Sequence, residues 1–135
     1  MNKESQIKLE KILKSTTWPL IVTNATAKDF SNAIIIPSDI PSTELGVISE
    51  DENQKYPTWA IQIIIKAKKS SNIILCIDSI DKVSELEQNK FLSLLKYKGI
   101  NGFKLPTNTK IILTAKDTSN ISKSIRSQSL IFKAE

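Results

Sequence analysis

The stretch that decides the fold is IILCIDSID, residues Ile73 to Asp81. Its first five residues are apolar and lead into Asp78, a pattern typical of a strand buried on both faces of a parallel sheet. A carboxylate that directly follows such a strand emerges at the carboxyl-terminal edge of the sheet. The stretch therefore predicts an α/β domain with Asp78 at that edge.

Strands and helices alternate on either side of this stretch. The expected strands are Leu20 to Val22, Ala33 to Ile36, Lys110 to Thr114 and Leu130 to Lys133. The expected helices are Ser5 to Lys14 and Asp81 to Lys96, with a short helical turn at Ile121 to Arg126. The chain is turn-rich from Ser38 to Gly46, the polar stretch from Ser49 to Pro57 predicts an exposed loop, and Gly99 and Gly102 before Phe103 and Leu105 suggest a β-hairpin. This order predicts right-handed βαβ units in one parallel sheet with helices on both faces, a three-layer α/β fold.

The segment from Trp59 to Lys69 allows two interpretations. Its many β-branched residues favour a strand locally. However, Gln62, Lys66 and Lys69 recur at i, i+4 and i+7, which is the polar stripe of a mostly buried helix. We choose the helix and keep the strand as the alternative.

The composition limits the chemistry of the chain. Its 135 residues, one domain's worth, include no His, one Cys and three Gly. Without His, catalysis of the Ser-His-Asp or Cys-His type and His-ligated metals are excluded. The single Cys76 cannot form an internal disulfide or a thiolate metal site, and we interpret it as a small buried apolar side chain. No metal site is expected.

The charge and hydropathy patterns favour a cytoplasmic protein. Lys and Arg number 19 against 14 Asp and Glu, a net charge of +5, but an A+T-rich genome produces the same lysine bias, so the charge is weak support for a nucleic-acid partner. No apolar run approaches the roughly 20 residues that span a bilayer. The charged amino terminus lacks the apolar core of a signal peptide, and a lone Cys inside an apolar run fits a reducing compartment.

Several motifs between Ile73 and Asp117 resemble the core of the AAA+ ATPases, which have a P-loop NTPase fold. IILCIDSID is similar to the Walker B strand, QNKFLSLL (Gln88 to Leu95) to the helix that follows, and KGINGFKLPTNTKIILTAKD (Lys98 to Asp117) to a hairpin and the sensor strand. The hairpin's G-x-x-G-x-x-L-P pattern and AIIIPSDIPSTELGV (Ala33 to Val47) most resemble the MoxR-like branch, and SKSIRSQS (Ser122 to Ser129) resembles the segment that ends many AAA+ cores. The resemblance covers roughly Leu20 to Phe132 and implies a hairpin inserted before the sensor strand. We expect a single domain over residues 1–135, with a helix at 1–17 and a sheet core at 18–133, and without the family's lid domain.

The resemblance places the family's phosphate loop at PLIVTNATAKD, Pro19 to Asp29, which contains no glycine. Such a loop needs backbone N–H groups around the phosphates, a Lys, and a Ser or Thr hydroxyl on Mg²⁺. Aligning Lys28 with the family's lysine puts Val22 and Ala27 at the glycine positions and Asp29 at the hydroxyl position, where its charge would repel phosphate. We interpret Lys28 as a surface lysine that, with Asp78, contacts a nucleotide only if one binds.

At three further positions of the family's catalytic set, the chain also lacks the residue that ATP hydrolysis needs. Asp78 matches the metal-directed carboxylate, but Ser79 replaces the water-activating Glu, and a Ser hydroxyl cannot act as the general base at neutral pH. Lys116 stands where the sensor strand normally ends in Asn. Gln128 matches the trans-acting arginine finger and cannot supply its positive charge, although Arg126 is present two residues earlier. Together these departures predict a pseudo-ATPase.

Three functions remain open on the sequence. The first is a catalytically inactive AAA+-like binding or assembly module without a cofactor, which contacts an active AAA+ ATPase or associates with itself. The second is a divergent or truncated MoxR-like ATPase that binds ATP and Mg²⁺. The third is a clamp-loader-like subunit with a role on DNA, which IRSQSLIF (Ile125 to Phe132) favours and the long hairpin disfavours. A membrane partner is not expected.

The hairpin supplies the candidate contacts to a partner. The lysines Lys96, Lys98, Lys104 and Lys110 surround it together with Phe103. In related AAA+ proteins such hairpins point into the pore of a ring and touch nucleic acid or polypeptide, so Lys98, Phe103, Lys104 and Lys110 are candidate contact residues. Scattered surface lysines are the alternative interpretation. Trp18 and Trp59 are expected in the core or at an interface.

Overall fold

The computed structural model describes residues 1–46, 48–50, 53–100 and 102–135. Its strands are β1 Leu20–Thr23, β2 Ile34–Pro37, β3 Ile48–Glu50, β4 Asn53–Lys55, β5 Ile73–Asp78, β6 Gly99–Ile100, β7 Phe103–Lys104, β8 Thr109–Ala115 and β9 Leu130–Lys133. Its α-helices are α1 Lys3–Ser15, α2 Ser42–Leu45, α3 Thr58–Ala67, α4 Glu85–Gln88, α5 Leu92–Tyr97 and α6 Lys123–Ser127, and single 3-10 turns cover Ala27–Asp29, Ile80–Lys82 and Asn89–Phe91.

Five strands form one parallel sheet in the order β2-β5-β8-β1-β9. Strand β8 lies at the centre and is buried along most of its length, as its apolar sequence requires. Strands β2 and β9 are the two edges, and all five carboxyl ends lie at the same edge of the sheet. The α/β fold with a parallel sheet, expected from the sequence, is confirmed.

Alternate residues of β1, β5 and β8 supply two hydrophobic clusters, one on each face of the sheet. On one face Ile73, Leu75 and Ile77 of β5 belong to a cluster that also contains Ile63 of α3 and Leu94 of α5. On the other face, the described cluster brings together residues from α1, β1, β5, β8 and the segment after β1: Leu9, Leu20, Val22, Ala25, Ala27, Phe30, Cys76 and Ile112. Each fully buried large apolar side chain contributes about 1.5 to 3 kcal/mol, so these two layers supply most of the driving force for folding.

The helix chosen for Trp59 to Lys69 is confirmed as α3, Thr58–Ala67. It joins the parallel neighbours β2 and β5, and a parallel connection needs a crossover of this kind. The expectation that the helix is mostly buried is wrong, because Ile61, Ile64 and Ile65 are exposed as well as Gln62. The buried stripe is the narrower set Trp59, Ala60 and Ile63.

The helix expected from Asp81 to Lys96 is replaced by shorter pieces. The chain forms a 3-10 turn at Ile80–Lys82, then α4, a second 3-10 turn and α5. Ser84 begins α4 by accepting a hydrogen bond from the Glu87 backbone N–H at 3.2 Å. The side chain of Gln88 is fully buried and bonds to Val83 O, Asn120 O and Ser122 N, which ties α4 to the start of α6. These non-local bonds explain why the segment is not one regular helix.

Two hairpins lie outside the main sheet. Strands β6 and β7 pair in antiparallel fashion, which confirms the hairpin expected around Gly99 and Gly102. The expected loop from Ser49 to Pro57 is wrong in part, because β3 and β4 also pair in antiparallel fashion. Residues 51 and 52, within that expectation, lie outside the described residues. In the described part of the chain, no helix combines the length and the apolar character needed to cross a membrane.

Candidate functional site

Asp78 ends β5 at the carboxyl edge of the sheet and is partly buried there. Its Oδ1 atom accepts hydrogen bonds from the Ala27 backbone N–H at 3.0 Å, from Thr114 Oγ1 at 3.0 Å and from Ser79 Oγ at 3.3 Å. Three segments that are distant in sequence therefore meet on one carboxylate oxygen. Among the described residues these hydrogen bonds all use Oδ1 rather than Oδ2.

The segment after β1 is a short turn packed against the sheet. Asn24 has a positive φ of 56° and donates its backbone N–H to Lys116 O at 3.2 Å. Ala25, Ala27 and Phe30 are buried in the hydrophobic cluster on the α1 face. The position at which the resemblance puts a phosphate loop is thus held by a turn whose side chains help to fill the core.

A capping box holds this turn together. Asp29 Oδ2 accepts the Thr26 N–H at 3.0 Å, and Thr26 Oγ1 accepts the Lys28 N–H at 3.3 Å. Asp29 Oδ1 also forms a salt bridge with the amino group of Met1 at 3.1 Å. The hydrogen bond from Thr26, followed by that from the amino group, lowers the pKa of the Asp29 carboxyl from its ordinary value. Both oxygens of the Asp29 carboxylate are therefore engaged in stabilising this turn and the amino terminus. The neighbouring Lys28 is exposed.

Ser79 is fixed mainly through its backbone. Its φ of 57° lies in the left-handed region, which non-glycine residues adopt at some cost in energy. Its N–H donates to Thr114 Oγ1 at 2.9 Å, and its carbonyl accepts from Ser38 Oγ at 2.8 Å. Ser79 thus links the carboxyl ends of β2, β5 and β8, and its hydroxyl reaches Asp78.

Lys116 lies at the same edge, directly after β8. Its backbone N–H donates to Asp81 Oδ2 at 2.9 Å, and its side chain is exposed. The structure therefore brings Asp78, Ser79 and Lys116 together with the turn that carries Lys28. These are the sequence-predicted positions that the fold gathers into one region.

Gln128 lies at the opposite, amino-terminal edge of the sheet. It precedes Leu130, which pairs with Leu20, the first residue of β1. With Trp18 and Lys98 it lines a cavity of about 250 Å³, and Arg126 on α6 is exposed. Gln128 therefore lies away from Asp78 within one chain, and the match of this position to the family's arginine finger stays a prediction.

The lysines around the β6–β7 hairpin differ in their surroundings. Lys110 Nζ donates to Thr16 O at 2.7 Å, whereas Lys104 is exposed. Burial and then the nearby charge of Lys110 lower the pKa of Lys98. The role of these lysines in partner or nucleic-acid binding stays a prediction.

Phe103 is a packing residue in this structure. It is 8% exposed, and its ring meets those of Tyr56 and Trp59 edge-on, at centroid distances of 5.7 and 5.6 Å. Any contact that the hairpin makes with a partner would therefore fall to its exposed residues. Trp59 is buried in the core, as one of the two expectations had it. Trp18 is 54% exposed, and its place at an interface stays a prediction.

Thr114 and Ser38 were missed on the sequence. Thr114 is fully buried, yet its hydroxyl bridges Asp78 and Ser79. The sequence does carry a signal for Thr114, which is a hydroxyl residue near the end of an otherwise apolar strand. Buried hydroxyl groups need hydrogen-bond partners, so this position indicates a contact with a polar group at the same edge of the sheet. Ser38 directly follows β2 in the same way.

The described residues hold no group of three or more His, Cys, Asp or Glu side chains that could bind a metal ion. Asp78 with the hydroxyl groups of Ser79 and Thr114 is the set that comes nearest to a hard-cation site, since Mg²⁺ prefers oxygen ligands. Cys76 is buried behind it, and burial followed by the charge of Asp78 raises the pKa of its thiol to about 12. The thiol therefore stays neutral at physiological pH.

No protein-family model matches the chain. A curated protein with a similar sequence is the spermidine/putrescine import ATP-binding protein PotA of Thermobifida fusca (strain YX), which is 27% identical over 99 residues. The match covers 66% of this chain and 25% of PotA, so the chain spans about a quarter of the length of that relative. The weak similarity and the five-stranded parallel sheet point the same way. The fold is compatible with a P-loop NTPase-like domain. The finer resemblance to the MoxR-like branch stays a prediction.

Proposed function

We propose that this chain is a P-loop NTPase-like module that does not hydrolyse ATP and works through protein contacts. The observation that carries the proposal is the bond from the Ala27 N–H to Asp78 Oδ1, at 3.0 Å. In a phosphate loop, backbone N–H groups of this kind point at the nucleotide. Here the group points at a carboxylate of the same chain, which is itself an anion.

The neighbouring groups give the proposal further support. A triphosphate at this edge would approach the negative charges of Asp78 and Asp29. Lys28, at the position that the resemblance aligns with the family's phosphate-loop lysine, belongs to a turn held by Thr26 and Asp29 rather than to a glycine-rich loop. Ser79 offers a hydroxyl where hydrolysis needs a base that can take a proton from water.

Titration with nucleotide tests this proposal directly. The intact chain is titrated with Mg-ATP and Mg-ADP by calorimetry, and release of inorganic phosphate is followed in parallel. We expect no binding heat at millimolar nucleotide and no phosphate release above the buffer rate. Thermal unfolding with Mg-ATP gives a second readout, because a ligand that binds only the folded state raises Tm. Micromolar affinity or measurable turnover would overturn the proposal.

A divergent nucleotide-binding protein is the second candidate. The similarity to an ATP-binding relative favours it, as does the position of Asp78, whose described hydrogen bonds all use Oδ1 and leave Oδ2 as a second oxygen for a cation. This candidate predicts that Lys28→Ala weakens nucleotide binding at least about tenfold, because the lysine would supply a charge-assisted contact to phosphate. The control is Lys11→Ala, an exposed lysine on α1. Equal affinities of the two variants would show that Lys28 does not contact the phosphates, and a wild-type chain that binds no nucleotide would remove this candidate.

A further inference from the structure

We propose that β2 and the adjoining side of α3 form the interface of a symmetric homodimer, in which the two β2 strands pair antiparallel. The inference names the partner for the protein-contact part of the proposed function. It does not depend on whether a nucleotide binds.

Strand β2 is an edge strand that pairs, among the described strands, with β5 alone. An edge strand presents unpaired backbone N–H and C=O groups to which another strand can add. Ile35, in the middle of β2, is 44% exposed. Pro37 lacks an N–H and limits the pairing to the first three residues of the strand.

A groove runs along this edge between β2 and α3. A cavity of about 770 Å³ lies toward the carboxyl end of β2, and one of about 580 Å³ lies toward its amino end. Ile35 and Gln62 line both cavities, so the two adjoin. Because Ile34 and Ile36 face the cluster beneath α3, the side chain of Ile35 points to the opposite face of β2, and Ile65 supplies an apolar side chain of the groove that is 54% exposed. Exposed apolar surface with a polar rim is typical of protein interaction sites.

The two ends of the groove carry opposite charges. Asp39 and Glu44 line the cavity at the carboxyl end, and Lys66 and Lys69 line the cavity at the amino end. Lys66 Nζ donates to Asn32 O, which holds its charge beside the start of β2. Within the described residues, none of these four side chains forms a salt bridge inside the chain.

This charge arrangement fits a second copy of the same chain. A two-fold axis perpendicular to the sheet brings two edge strands together antiparallel and keeps both α3 helices on the same face. The acidic end of each groove then faces the basic end of the other, and Ile65 of one copy comes beside the same residue of the other. A parallel arrangement of the two strands would instead bring like charges together.

An interface of standard size would take a modest share of the surface of this chain. A standard interface buries about 800 Å² on each partner, or about a tenth of the surface of a small protein. The accessible surface of this chain is 8182 Å², so an interface of that size needs about a tenth of it. Strand pairing and packing between the two α3 helices would share that area.

The mass in solution gives the first test. Sedimentation equilibrium of the intact chain should give twice the 15.1 kDa of one chain at high concentration, with dissociation on dilution. Ile35→Lys should weaken the dimer about tenfold or more, because a charged side chain in the middle of an edge strand opposes pairing. The matched control is Ile131→Lys on the other edge strand, β9, where the residue is 46% exposed. A wild-type monomer at every concentration, or dissociation by Ile131→Lys in place of Ile35→Lys, overturns the proposal.

Charge reversal tests the antiparallel arrangement. One variant carries Asp39→Lys and Glu44→Lys, and the other carries Lys66→Glu and Lys69→Glu. Each alone should be monomeric, since like charges then face each other, and an equimolar mixture should form a heterodimer, since every facing pair is again opposite. Lys3→Glu with Lys11→Glu, on exposed positions of α1, is the control and should leave the wild-type dimer intact. A mixture that stays monomeric overturns the antiparallel pairing.

The outcomes separate this inference from the proposed function. A monomer without nucleotide affinity contradicts the homodimer and leaves a non-hydrolysing module, whose partner is then a different protein. A dimer with micromolar nucleotide affinity contradicts the proposed loss of ATP binding and leaves the homodimer standing.

Discussion

At the scale of the residue, the carboxylate of Asp78 stabilises the fold by accepting hydrogen bonds from Ala27, Ser79 and Thr114. Asp78→Ala should lower the free energy of unfolding by about 2 kcal/mol, because hydrogen bonds to a charged group are lost and the Ala27 N–H is left without its acceptor. Urea denaturation with linear extrapolation measures the change. Glu10→Ala, an exposed change on α1, should alter the stability by less than about 0.5 kcal/mol. Equal stabilities of the two variants would contradict the supporting role of Asp78.

Cys76 should be unreactive in the folded protein. Its thiol is buried and has a pKa of about 12, whereas thiol reagents attack the thiolate. At pH 8 we expect Ellman's reagent to label the native chain only as fast as the protein opens, and to label it fully in urea. Complete labelling of the native chain within the mixing time would show that the thiol is accessible.

The same thiol should make stability fall at alkaline pH. Its folded pKa is raised above the ordinary value of 9.0, so its contribution is fully present below pH 9 and is lost as the pH rises through about 12. Cys76→Ala should be less stable than the wild type at neutral pH. Its free energy of unfolding should fall less steeply above pH 9, because the ionisation of the thiol is removed. The urea midpoint as a function of pH measures the difference between the two proteins. Parallel pH curves would contradict the assignment.

At the scale of the element, the end of α5 stores conformational strain. Lys98 follows the helix with a φ of 51°, a conformation in which glycine carries little penalty. Lys98→Gly should raise the stability by about 1 kcal/mol, and it also removes the repulsion between Lys98 and Lys110. Thermal or urea unfolding measures the gain.

The control for this prediction lies two residues earlier. Lys96→Gly places glycine at an exposed position inside α5 and should lower the stability by about 1 kcal/mol. A gain in stability for Lys98→Gly together with a loss for Lys96→Gly would show that the gain comes from relief of backbone strain, because both variants lose a lysine charge. A loss of stability at both positions would contradict the interpretation of Lys98.

The elements that the sequence predicted well are those whose own residues determine them. Strands β5 and β8 are apolar runs long enough to be buried on both faces, and the spacing of polar residues identifies α3 despite its isoleucines. The segment from Asp81 to Lys96 fails for the opposite reason. Its helical pattern is interrupted because Gln88 forms bonds with residues near α6, and no local pattern reveals a bond across 32 residues.

At the scale of the whole molecule, the sequence predicted which segments meet at the carboxyl edge but not how they bind one another. Asp78, Ser79 and Lys116 follow buried parallel strands, so their common edge could be inferred. The bonds from Ala27 and Thr114 to Asp78 depend on the register of three strands and on the path of the turn after β1. Those are tertiary features, and spacing along one chain does not specify them.

The two tryptophans give the molecule separate optical reporters. Trp18 is 54% exposed at the amino edge beside lysines, so its fluorescence should be red-shifted and open to quenching by iodide, which positive charge attracts. Trp59 is buried, donates its ring N–H to Leu45 O at 3.0 Å and lines the larger cavity next to β2. In a chain with Trp18 replaced by Phe, the emission of Trp59 would therefore report directly on whatever occupies that groove.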